Sequence, residues 1–152
     1  MITFETGVRI NRPIEEVFAY VSDPLNFPRW NSAVHAVRKI SGDDNIGVGS
    51  TYVMERTLRT GKGENALQIV AREQPSEFAI RTTSGPTPLV YNYRFSPDDG
   101  ETLVQLDAVL ELKGAHALLG PIAGRLVKNG VDDNLATLKK ILEARALWGV
   151  TA

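Results

Sequence analysis

Residues 10–30 read INRPIEEVFAYVSDPLNFPRW, and this stretch decides how the rest of the chain is arranged. Asn11 or Arg12 stands near a helix cap, and Pro13 suits the first helical position. Glu15 and Glu16 place two acids in the first turn, where the helix dipole favours them. Ile14, Val17, Phe18 and Val21 are spaced for one buried face. Ser22-Asp23-Pro24 ends this helix and offers a second cap. Residues 24–31 then read as a second short helix carrying Leu25, Phe27 and Trp30, partly 3₁₀ or irregular because Pro28 interrupts it.

On both sides of this pair the period changes to two. Ile2, Phe4, Val8 and Ile10 alternate with polar residues, which predicts a half-buried strand. Six more strands follow the helices, over residues 33–41, 50–59, 64–73, 77–83, 88–96 and 102–113. The separators are turn formers: a loop over residues 42–49 with Asp43-Asp44-Asn45, the hairpin Thr60-Gly61-Lys62-Gly63, then Gln74-Pro75-Ser76, Ser84-Gly85-Pro86 and Pro97-Asp98-Asp99-Gly100. Short links without helices between them predict antiparallel neighbours.

From about residue 115 to about residue 147 the period becomes helical, with Leu119, Ile122, Leu126, Val127, Val131, Leu135, Leu138, Ile141 and Leu142 at spacings of three and four. Gly120-Pro121, Gly124 and Gly130 predict irregularity or a bend, and Gly149 a terminus. Alternation assigns an inner sheet face: Tyr52, Met54, Arg56 and Leu58; Leu67, Ile69 and Ala71; Phe78, Ile80 and Thr82; Leu89, Tyr91, Tyr93 and Phe95; Val104, Leu106, Ala108, Leu110 and Leu112. A sheet apolar on one face needs one cover, and the long helix is large enough to supply it. The fold class expected is α+β: a curved seven-stranded antiparallel sheet around a long C-terminal helix, closed at one end by the two short helices. Such an arrangement leaves central space for an apolar ligand.

The chain has 152 residues, the length of a single domain, 1–152. Its net charge is −1, so phosphate neutralisation gives no case for nucleic acid or for an anionic membrane surface. With no cysteine, disulfides, thiolate catalysis and Cys-zinc sites are excluded. No basic leader with an apolar run stands at the N-terminus, and no stretch approaches the ~18 apolar residues of a membrane span. A soluble, cytoplasmic protein is expected, without cofactor or metal.

The order strand, two short helices, six strands and long helix resembles the START-like, or Bet v-type, helix-grip superfamily (SRPBCC). Within it the chain is similar to the bacterial polyketide cyclase/dehydrase and lipid-transport family. The resemblance is carried by residues 10–18, Val21-Ser22-Asp23-Pro24, Phe27-Pro28-Arg29-Trp30, Gly47-Val48-Gly49, and the C-terminal Asn134-Leu135, Leu138-Lys139-Lys140 and Leu142-Glu143. It implies binding of a small hydrophobic molecule, such as a lipid, an isoprenoid or an aromatic polyketide. It leaves open a cyclase or dehydratase activity, and a protein-binding role without small ligand.

The expected pocket lining is Trp30, Met54, Arg56, Ile69, Ile80, Tyr91, Tyr93, Leu106, Val131 and Asn134. Arg56, on the inner face between Met54 and Leu58, either orients a carboxylate, phenolate or carbonyl of a ligand, or sits at the pocket mouth and pairs with an acid. The Tyr91 and Tyr93 hydroxyls either bond a ligand oxygen or belong to the core. Trp30 either walls the pocket or anchors the short helices to the sheet. Asn134 either faces the cavity or sits in solvent beside Asp132 and Asp133. His35 and His116 lie far apart without a ligand-spaced carboxylate, and no catalytic set is identified.

Overall fold

Strand β1 (Ile2–Ile10) is followed by helix α1 (Ile14–Val21), a 3₁₀ turn (Pro24–Asn26) and the single-turn helix α2 (Phe27–Trp30). Six strands come next: β2 (Val34–Lys39), β3 (Thr51–Leu58), β4 (Gly61–Glu73), β5 (Glu77–Ser84), β6 (Leu89–Asp98) and β7 (Glu101–Leu110). The long helix is α3 (Gly120–Leu147). These elements come from a computed structural model, which describes residues 1–41, 45–58, 61–111 and 120–147.

All seven strands form one antiparallel sheet in the order β1-β7-β6-β5-β4-β3-β2. The two strands flanking the short helices, β1 and β2, are therefore its two edges. The register slips between Val34 and Ala36 on β2, and twice along β4, between Ala66 and Leu67 and between Ile69 and Ala71. An extra residue on one strand bends it and increases local twist.

The inner face is as alternation predicts. Tyr52, Met54, Leu67, Ile69, Phe78, Ile80, Leu89, Tyr93, Phe95, Val104, Leu106, Ala108 and Leu110 are buried, and they meet Leu135, Leu138 and Leu142 of α3 in one core with Val17, Phe18 and Val21 of α1. Polar ties fix α3 to the sheet edge. Lys139 Nζ donates to the Arg9 carbonyl at 2.8 Å, the Asn11 amide donates to Glu143 at 2.8 Å, and the Thr6 hydroxyl donates to Asp132. Glu16 of α1 lies buried between Arg12 at 2.6 Å and Arg145 of α3 at 3.7 Å, and Arg145 also covers the Tyr20 ring.

Several local expectations are corrected. Pro13 is itself the cap residue of α1, so the helix begins at Ile14, one residue later than expected. Gly61, Lys62 and Gly63 are not turn residues: they belong to β4, with Gly61 opposite Leu58 and Gly63 opposite Arg56. Ladder hydrogen bonds outweigh the weak strand preference of glycine there. The turn between β6 and β7 is Asp99-Gly100 alone, with φ of 50° and 83°, the two left-handed residues that a type I′ hairpin requires. Ile122 and Leu126 are 63% and 58% exposed, not part of the buried stripe. The close approach is made by Gly124, where a Cβ would stand 3.5 Å from Ile2. Ile122 lies roughly 200° around the helix from it, so Ala123, Val127 and Val131 face inward instead. α3 runs unbroken through Gly124 and Gly130. Leu112, His116, Leu119 and Gly149, with the Asp43-Asp44 pair, lie outside the described residues.

Candidate functional site

The inner faces of β3, β5 and β6 leave a cavity under α2. Phe27 and Trp30 come from α2, Asn31 and Val34 from the chain leading into β2, Met54 and Arg56 from β3, Ile80 from β5, and Leu89, Tyr91 and Tyr93 from β6. Each strand contributes alternate residues, as the pleat requires. The free volume is about 40 Å³, enough for one or two water molecules and far below the ~300–1,000 Å³ typical of drug-sized ligands.

One wall is aromatic. Trp30 meets Phe27 and Tyr93 edge-on at ring separations of 5.8 and 6.4 Å, and Tyr93 meets Tyr91 edge-on at 6.3 Å and stacks on Phe78 at 6.0 Å. The opposite wall is Met54 and Arg56, the one flexible and apolar, the other a cation on a flexible stem.

Arg56 donates from Nη1 to Asn65 Oδ1 at 3.1 Å. Asn65 lies on β4 with no exposed surface, and both of its amide hydrogens are used, toward the carbonyls of Ser84 at 3.1 Å and Pro86 at 2.6 Å. The β5–β6 turn closes onto it. Gly85 has φ of 98°, and a Cβ there would stand 2.3 Å from the Glu64 carbonyl and 2.7 Å from Asn65 Nδ2. Glycine is thus required twice over, for its backbone angle and for its missing side chain.

Arg56 also borders a second space, a surface groove of about 500 Å³ with His35, Glu55, Lys62, Gly63 and Glu64. Gly63 stands opposite Arg56 on the ladder and presents no side chain to block the guanidinium. The cation therefore sits where the cavity meets the outside. Burial lowers the Arg56 pKa, with Tyr91 opposing that effect. Burial pushes the Tyr91 hydroxyl up to about 12 and the Tyr93 hydroxyl in the same direction. Both phenols are neutral donors at ordinary pH.

Six of the expected lining residues thus meet at the cavity: Trp30, Met54, Arg56, Ile80, Tyr91 and Tyr93. Four lie off it. Ile69 and Leu106 are wholly enclosed in the core, because at their level the sheet packs solidly. Val131 packs half-buried against that core. Asn134 is turned neither to the cavity nor to solvent: its Oδ1 accepts from the Ser32 amide at 3.2 Å and from the Ser32 hydroxyl at 3.4 Å, tying α3 to the end of α2. His35 lies in the outer groove, hydrogen-bonded to the Thr57 hydroxyl. The residue missed is Asn65. Stepping the alternation of β4 back from Leu67 places it on the inner face, where a buried amide in an apolar row signals a polar partner. Among the described residues no cluster of His, Cys, Asp and Glu could hold a metal, and no helix is long and apolar enough to cross a membrane.

Solved structures share this architecture. A START superfamily protein from Mycobacterium smegmatis aligns with a TM-score of 0.71 at 18% identity, over 95% of this chain and 97% of that one. The Zhui aromatase/cyclase from Streptomyces sp. R1128 aligns with a TM-score of 0.73 at 12% identity, over 95% and 94%. The di-domain ARO/CYC StfQ from the steffimycin biosynthetic pathway aligns with a TM-score of 0.74 at 16% identity, over 95% of this chain and 51% of that one. At these identities the likeness establishes the helix-grip fold. No curated protein matches the chain. The profile of one family, described as polyketide cyclase/dehydrase and lipid transport, spans residues 1–143, and to that family the chain belongs.

Proposed function

We propose that this protein binds a small, mainly apolar molecule between α2 and the inner faces of β3, β5 and β6, and serves to carry or sequester it. The observation that carries this reading is the cavity itself: aromatic and aliphatic on nearly every side, with a few polar groups at one end. Affinity would come from apolar surface removed from water, at roughly 25 cal/mol per Å². The free volume is small, so a ligand gains room by moving side chains. Met54 and Arg56 have the rotatable stems for that, and half-buried Tyr91 faces them.

Family membership and the aromatase/cyclase neighbours raise a second reading, ring closure in the same cavity. Arg56 and the tyrosines could polarise a carbonyl. Among the described residues the lining holds no carboxylate or imidazole to take a proton, which favours binding over turnover. A cytoplasmic location is part of this reading, and the absence of cysteine is compatible with it.

Native mass spectrometry of the purified protein, followed by organic extraction, tests the binding reading. A co-purifying apolar molecule, released in amounts near one per chain, is the expected result. A ligand-free protein whose Trp30 emission responds to no apolar probe, read in a Trp148→Phe background, would sink it.

A further inference from the structure

Arg56 is a cation without a counter-ion. Among the described residues its hydrogen-bond partner is the neutral Asn65, and none of the ion pairs includes it. Two acids share the outer groove: Glu64 is paired with Arg38 at 3.2 Å, and Glu55 is exposed and forms no ion pair with Arg56. Asn65 cannot rotate to offer anything else. Its two hydrogens are held by the Ser84 and Pro86 carbonyls, so its oxygen is fixed toward the guanidinium. A largely buried charge that lacks an opposite charge is costly, and a partner that supplies one recovers that cost.

Other polar groups on the cavity can donate as well. Among the described residues Trp30 Nε1 is buried with no acceptor, and Tyr91 and Tyr93, whose hydroxyls can donate, line the same cavity. Three neutral donors, one cation and an aromatic wall with no acidic side chain form the complement of an apolar body that ends in an anionic oxygen group. One uncompensated cation balances one negative charge. The planar guanidinium fork matches a planar carboxylate.

We propose that the ligand is a hydrophobic monocarboxylate, its carboxylate held by Arg56 at the boundary between cavity and groove and its apolar body against Trp30 and Tyr93. Asn65 is a positioning residue: it acts through Arg56, aiming the guanidinium, and touches no ligand. This rests on the hydrophobic-ligand reading above and adds the head group to it.

The test is calorimetric titration of the full chain with probes matched in their apolar body: dodecanoate, dodecan-1-ol and dodecyl phosphate, and 2-naphthoate against 2-naphthol. The expected result is that each acid binds roughly tenfold to a hundredfold more tightly than its neutral partner, the range for hydrogen bonds to a charged group. Arg56→Met should remove that preference, so that in this variant acid and alcohol bind with equal affinity. Asn65→Asp gives Arg56 an internal counter-ion and should also remove it. Should that variant fail to fold, Arg56→Met decides alone. Equal affinity for acid and alcohol, or an unchanged preference in Arg56→Met, overturns the carboxylate assignment while leaving apolar binding in place. Tighter binding of the phosphate than of dodecanoate also overturns it. If no probe of either kind binds, both this assignment and the hydrophobic-ligand reading fall.

Discussion

The Arg56 guanidinium and the Asn65 side-chain oxygen meet at 3.1 Å, and behind Asn65 the β5–β6 turn is folded directly onto its amide. The orientation of a cation at the cavity is thus set by a turn on a different hairpin.

Asn65→Ala should destabilise the protein by about 3 kcal/mol, since it leaves the Ser84 and Pro86 carbonyls and the Arg56 donor unpaired away from water. Gly85→Ala should cost about 2 kcal/mol or more, through its left-handed backbone and the overlap with Glu64 and Asn65. Because both changes break one contact surface, the double variant should lose less than the sum. Urea unfolding of the four proteins measures this. Strict additivity would mean that turn and amide are not a unit.

Asn134→Ala should cost about 1 kcal/mol and free the residue that follows the end of α2. Hydrogen exchange by NMR would show the Ser32 amide exchanging faster, with the strand amides of β6 and β7 little changed. Unchanged Ser32 protection would show that α2 is held by its apolar contacts alone.

Acid should weaken the attachment of α3. Partial burial raises the carboxyl pKa of Asp132 and of Glu143, but hydrogen bonds from Thr6 and Lys128 on the one, and from the Asn11 amide and Lys139 on the other, outweigh it and hold both below the ordinary range. A carboxylate with a lowered folded pKa contributes stability above its unfolded pKa and loses it as pH falls through the folded one. Stability should therefore decline on acidification through and below the usual carboxylate range. Asp132→Asn with Glu143→Gln should lower stability at neutral pH and flatten that decline, as thermal unfolding against pH would show. An acid limb of unchanged slope would contradict this assignment.

Much of this molecule was legible in its residues. Turn chemistry placed the strands within a few positions, and alternation found the inner face because every side chain has only two directions to take. What escaped depended on relations between distant segments. The exposure of Ile122 and Leu126 follows from which side of α3 presses on Ile2, and helical spacing alone permits either. The cavity lies under α2, away from Val131 and Asn134, and the sheet beside it carries register shifts near Val34 and between β4 and β5. Periodicity does not register a bulge in advance. Asn65 stood one step beyond the apolar run used to read its strand.

The sheet order has a consequence during synthesis. Ile2 pairs with Leu110, so during synthesis β1 must wait for β7, about a hundred residues later, before it finds its neighbour. At ~5–20 residues per second, the alternating apolar face of β1 stays unpaired for several seconds in the nascent chain. The polar residues Thr3, Glu5 and Arg9 along its other face are then what keeps that waiting edge from recruiting a neighbouring chain.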